Sequence, residues 1–135
     1  MPQRNFRVIP PDRCLQLMQH EWIGRVGWAG ADGIEILPVA YAVREPHIVF
    51  RTARYGLLSC LWEPRRVTFE VDRFDLDSRS GWSVVARGDT GPVEPADELA
   101  ELLGPTDPMP WAPGERNLII AITVDRVTGR IVGGV

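Results

Sequence analysis

Six stretches rich in valine, isoleucine and aromatic residues recur along the chain, at positions 23–30, 34–44, 48–52, 65–75, 81–94 and 118–125, with turn residues between them. Strand-length runs at this spacing predict a mainly β fold: a six-stranded antiparallel barrel with a few short helices over its openings. Ala31-Asp32-Gly33 marks a tight hairpin between the first two strands, and Glu45-Pro46-His47 turns the chain into the third. In the fourth, Val67, Phe69 and Val71 alternate with Thr68, Glu70 and Asp72, the pattern of a strand buried on one side, and the fifth is its expected partner.

The second strand carries Pro38 in its middle. A missing N–H breaks a ladder there, so the strand is expected to be bulged or locally unpaired, with backbone available to something other than a neighbouring strand. Helical spacing of Cys14, Leu15, Met18 and Trp22 after Pro10-Pro11 predicts a short amphipathic helix, residues 53–64 read as a loop and short helix closed by Pro64, and 96–103 as another helix. The Pro-rich run from Gly104 to Gly114 is expected to lie across the barrel surface, and residues 126–135 read as irregular.

A chain of 135 residues fits one domain spanning 1–135. No apolar run reaches the roughly 20 residues of a membrane span, and the first 13 residues lack the apolar centre of a signal peptide, so the cytoplasm is the expected location. Net charge is −3 and there is no lysine, all 15 cations being arginine, which gives no general attraction for nucleic acid. Cys14 and Cys60 fall on separate helices and read as free thiols. Phosphate-loop, dinucleotide-fingerprint and zinc spacings are missing, and His20 and His47 stand near no nucleophile motif, so a hydrolase is not indicated.

Two places offer binding chemistry. Arg51-Thr52 ends the third strand with a guanidinium and a hydroxyl, a pair suited to phosphate, although a solvated strand end would look the same. Trp82 and Ser83 open the fifth strand on opposite faces. In a monomer one of them would face solvent, whereas in a dimer packed side by side it would meet a ligand held by the other subunit; an indole filling ordinary core is the competing explanation.

In order, the stretches IGRVGW, ILPVAY, IVFRTA, VTFEVDRFD, GWSVVARG, PWAPGERN and VTGRIV resemble the pyridoxamine 5′-phosphate oxidase-like family of flavin-binding split barrels. That resemblance implies a six-stranded split β-barrel, a homodimer, and FMN sites at the subunit interface. It implies that the backbone of Ile36, Leu37, Pro38, Val39, Ala40 and Tyr41 lines the flavin ring, that Arg51 and Thr52 approach the phosphate, and that Trp82 and Ser83 reach the cofactor from the partner subunit. Two positions depart from the family pattern. Leu57 stands where a lysine usually meets the phosphate, with Arg54 three residues earlier as a substitute, and Ala40 replaces a common polar residue. The activity implied is an FMN-dependent oxidoreductase acting on a small molecule. A deazaflavin-dependent reductase and a cofactor-free binding or regulatory barrel are the alternatives, and Trp111 is expected either to cover part of the substrate pocket or to pack against the barrel.

Overall fold

The computed structural model describes residues 6–94, 97–103 and 118–133. Its strands are β1 (Phe6–Ile9), β2 (Ile23–Gly30), β3 (Gly33–Arg44), β4 (His47–Thr52), β5 (Arg66–Asp75), β6 (Ser80–Val93) and β7 (Leu118–Val132). Helix α1 (Pro11–Met18) follows β1, a 3-10 helix (Leu57–Trp62) follows β4, and α2 (Glu98–Glu101) follows β6. The order β2, β3, β4, β7, β6, β5 closes on itself through antiparallel pairs, so six strands make the barrel, and β1 adds to a free stretch of β7.

Alternation decides which side chains fill the barrel. Val26, Phe69, Val71, Val84, Ile48, Phe50, Ile120 and Ile122 are fully buried inward-facing residues of five different strands. The outer faces of β4 and β7 form a smaller cluster of Val49, Ile119 and Ala121, covered by Ala100 of α2 and Val93. Ala31 and Asp32 make the expected two-residue turn, with Gly30 opposite Gly33, and Gly33 takes a φ of +127° that favours glycine.

Three expectations change. Residues 126–132 are strand, because β7 continues past a bulge at Asp125, where the partner of Arg87 is Arg126 but that of Gly88 is Val124. Gly88 sits there because a side chain would run into the backbone of Thr123. Helix α1 ends at Met18, so Trp22 is not on its buried stripe; Cys14, Leu15 and Met18 are. Pro38 causes no bulge: β3 keeps an unbroken register with β2 from Gly33 to Ala40. Both cysteines are free, Cys14 buried beneath Ile9 and Cys60 half-buried. The run from Gly104 to Gly114, with Trp111, lies outside the described residues.

Candidate site at a fork in the sheet

Strand β3 changes its paired neighbour along its length. It pairs with β4 from Tyr41 to Arg44, opposite Phe50 to His47, and with β2 from Gly33 to Ala40. Past Tyr41 and Phe50 the sheet forks: β3 goes on beside β2, while β4 goes on to Thr52 beside β7. Ala40 and Arg51 are the first residues beyond the fork.

The direction of the peptide groups along this stretch follows from one hydrogen bond. The Tyr41 N–H donates to the Trp22 carbonyl at 3.1 Å, so alternation turns the peptides of Val39, Leu37 and Glu35 toward β2 and those of Ala40, Pro38, Ile36 and Ile34 away from it. Pro38 therefore lacks its N–H on the side where no described strand pairs with it. That is how β3 tolerates a proline: the ladder loses nothing, and the strand edge offers carbonyls at 36, 38 and 40 and N–H donors at 36 and 40.

Arg51 stands across the fork from that edge. With Trp22, Ala40, Tyr41, Ala42 and Leu102 it lines a depression of about 80 Å³. Trp22, 56 % exposed, and Leu102, just past the end of α2, were not among the residues expected at a site. Trp22 reads naturally into the helical stripe, and its only distinguishing signal is its place immediately before the strand that opens at Ile23. Tyr41 is held from behind: its hydroxyl donates to the Met18 carbonyl at 2.6 Å, and burial pushes its phenol upward from its ordinary range.

Arg51 and Thr52 do not act from one face. Consecutive strand residues point oppositely, and Thr52 is turned inward and buried while Arg51 is half-exposed. Arg54 follows at the tip of a turn closed by the Gly56 N–H and the Ala53 carbonyl at 3.2 Å, and Leu57 begins the 3-10 helix. Trp82 and Ser83 lie elsewhere. Arg51 is in register with Ile119, and Ile119 with Val93, so Trp82 is separated from the Arg51 level by β6 from position 82 to 93, roughly 35 Å along the strand. Trp82 packs against the rim of the core and borders a second depression with Phe74 and Leu76, and Ser83 points to the outer face between Asp72 and Arg130.

That outer face carries an apolar groove of about 620 Å³, walled by Ile34, Ile36, Ala29 and Trp28. Its polar end is a charge cluster: Arg25 lies 3.1 Å from Glu70 and 3.8 Å from Asp72. Burial, followed by the neighbouring Asp72, pushes the Glu70 carboxyl up to about 7, with Arg25 opposing the shift. A carboxyl raised from 4.5 favours the folded state most below pH 4.5, and that advantage disappears as pH rises through 7. Urea midpoints are therefore expected to fall between pH 5 and pH 7.5 by the equivalent of about 1 kcal/mol, after screening at this half-exposed site. Glu70→Gln should flatten that slope; an unchanged slope would show that Glu70 does not hold its proton in the fold.

Residues 10–131 match the pyridoxamine 5′-phosphate oxidase family. The chain belongs to this family. Solved structures agree: a conserved protein of unknown function from Corynebacterium diphtheriae is 28 % identical, with a TM-score of 0.71 over 94 % of this chain and 98 % of that one. An FAD-binding protein from Mesorhizobium loti has a TM-score of 0.80 at 18 % identity, covering 98 % and 100 % of the two chains, and one from Mycobacterium smegmatis 0.71 at 22 %, covering 93 % and 97 %. These last two likenesses speak for the split-barrel fold. No curated protein gives a significant sequence match. Among the described residues no cluster suited to a metal ion occurs, and no helix is long and apolar enough to cross a membrane.

Proposed function

We propose that this member of the family is a flavin-dependent oxidoreductase that works as a homodimer, with riboflavin 5′-phosphate, the whole of FMN and the near half of FAD, seated at the fork between β3 and β4. The observation that carries the reading is the one-sided edge of β3 beside Arg51. A planar heterocycle with alternating donors and acceptors matches a strand edge that presents both, and a phosphate matches a guanidinium at the mouth of the fork. The FAD-binding proteins of the same fold are in keeping with a flavin here. When bound, the isoalloxazine supplies hydride transfer. The protein's part is to hold the ring edge through the peptides of Ile36, Pro38 and Ala40, to neutralise phosphate with Arg51 and Arg54, and to keep water off with Trp22 and Leu102.

A chain's own Trp82 and Ser83 lie at the far end of β6 from this site. In the proposed dimer the partner's Trp82 and the partner's Ser83 close it. The exposed side chains suit that packing: Ile34 and Ile36 are 71 % and 63 % exposed on the face that also carries Ser83, and Phe74 and Leu76 stand out beside Trp82. Light scattering is expected to give a dimer, and Ile36→Glu a folded monomer with weakened flavin binding. A monomeric parent chain would remove the shared site.

The decisive experiment is a flavin absorption spectrum of the purified protein together with fluorescence titration of the flavin-free chain. Bound flavin, reduced by nicotinamide nucleotides and reoxidised by a small-molecule acceptor such as a quinone, is the expected result. A colourless protein that quenches no flavin fluorescence would leave instead a barrel that binds without redox chemistry, a reading that Leu57 favours because it removes a phosphate cation.

A further inference from the structure

We infer that association of two copies of this chain is coupled to proton uptake at the cluster of Arg25, Glu70 and Asp72, so that the dimer tightens as pH falls and loosens as it rises; the inference rests on the side-by-side dimer proposed above. The groove on the outer face sets the geometry. Ile34 and Ile36 wall it on β3, and Arg25 of β2 with Glu70 and Asp72 of β5 line the same depression. A second copy that covers the two isoleucines therefore covers the charged groups beside them as well.

The charges there do not balance. Arg25 Nη1 lies 3.1 Å from a Glu70 oxygen and 3.8 Å from an Asp72 oxygen, so one guanidinium serves two carboxylates and the cluster keeps one negative charge when both are ionised. Among the described residues no second cation forms an ion pair with either carboxylate. On β2 the residue opposite Glu70 is Arg25 itself; on β6 it is Val85, and the next charged position along that strand is Arg87, opposite Thr68. Water carries the excess charge in a single chain, where the Glu70 and Asp72 side chains are 29 % and 33 % exposed. A second copy would remove that water, and an unpaired carboxylate stripped of water is far costlier than one that has bound a proton.

Burial, followed by the adjoining Asp72, already pushes the Glu70 carboxyl up to about 7 in the single chain. Further burial raises it again. The protonated form therefore associates more strongly, and its advantage is lost as pH rises through and beyond about 7. At the other end of the groove Arg66 also meets two carboxylates, Asp125 and Asp89, but there all three side chains are more than half exposed and Arg66 holds the Asp125 carboxyl below its ordinary range. Because each proposed flavin site is closed by the second copy, flavin retention should weaken in step with the dimer at high pH.

The experiment follows the full-length protein by analytical ultracentrifugation, in dilution series from about pH 6 to about pH 9 at fixed ionic strength. A proton held about tenfold more tightly by each copy of the cluster in the dimer corresponds to a dissociation constant about a hundredfold higher at the upper end of that range. Glu70→Gln, which keeps the shape of the protonated acid, should hold the dimer at its low-pH strength throughout. Asp72→Asn, which leaves one carboxylate for one guanidinium, should also flatten the dependence, whereas Asp89→Asn should retain it. A parent dimer equally tight at both ends of the range, one tighter at the higher pH, or a parental slope kept in both Glu70→Gln and Asp72→Asn would each overturn the inference and leave the dimer standing; the first is the result that an arginine of the second copy would give by neutralising the cluster. A monomer at every pH would overturn the dimer reading, and this inference with it.

Discussion

Phe69→Ala is expected to lower the free energy of unfolding by about 4 kcal/mol, the range found when a fully buried aromatic ring is truncated. Phe69 is completely buried at the centre of β5. Its ring meets Tyr41 edge to face, with centroids 5.1 Å apart and planes at 75°, and rests on Gly24 of β2, where any side chain would collide with it. One ring thus couples β5 to β2 and to the strand that carries the fork. Its loss leaves a cavity that the rigid strands cannot close, and it frees Tyr41 on the side away from its bond to Met18. Urea unfolding measures the loss. The contact is specific enough for a second check: Gly24→Ala should destabilise the parent chain, and destabilise Phe69→Leu by less, because the shorter side chain makes room. A cost below about 1 kcal/mol for Phe69→Ala would mean that the core repacks around the gap.

Arg51→Ala is expected to weaken flavin binding by tenfold to a hundredfold, the equivalent of about 1.5–3 kcal/mol for a charged hydrogen bond. With lysine absent from the whole chain and leucine at position 57, phosphate neutralisation at the fork falls on arginine alone. Arg51→Lys should recover part of the affinity, because it keeps the charge and loses the bidentate fork. Arg51 is half-exposed on the outer side of β4 and takes part in interactions within the chain, so the melting temperature without ligand is the control for its part in the fold. Measuring dissociation constants and melting curves on the same samples separates the two effects. A flavin affinity unchanged in Arg51→Ala would place the phosphate elsewhere.

Much of the barrel is legible in the sequence because its strands obey a period of two. Val67, Phe69 and Val71 announce both the strand and its buried face, and the turn at Ala31-Asp32 announces the hairpin. The end of β7 hides because Asp125 is an extra residue in the strand. After it the alternation resumes out of step, with Val127, Gly129 and Ile131 turned inward, and Gly129 shows no apolar side chain because it packs against Cys14 and Ile9. Strand β1 hides for a different reason: only Ile9 is buried, so Phe6 and Val8 carry no pattern.

The site is legible in a different measure. Pro38 signals an irregularity that the register with β2 does not show; what sets this stretch apart is the opposite edge, with which no described strand pairs. Arg51 and Thr52 are adjacent in sequence and point apart in space, which strand alternation alone would have shown. Trp22 and Leu102 come to the fork from two helix ends, and no local pattern brings two such distant positions together.

An unpaired strand edge invites other chains to add to it, the usual route from a β protein to aggregates. Pro38 guards against this, since an incoming strand would find no donor at the middle of the edge and would meet a pyrrolidine ring in its place. A residue that costs the ladder with β2 nothing thus hinders this margin of the sheet from recruiting a polymerising polypeptide.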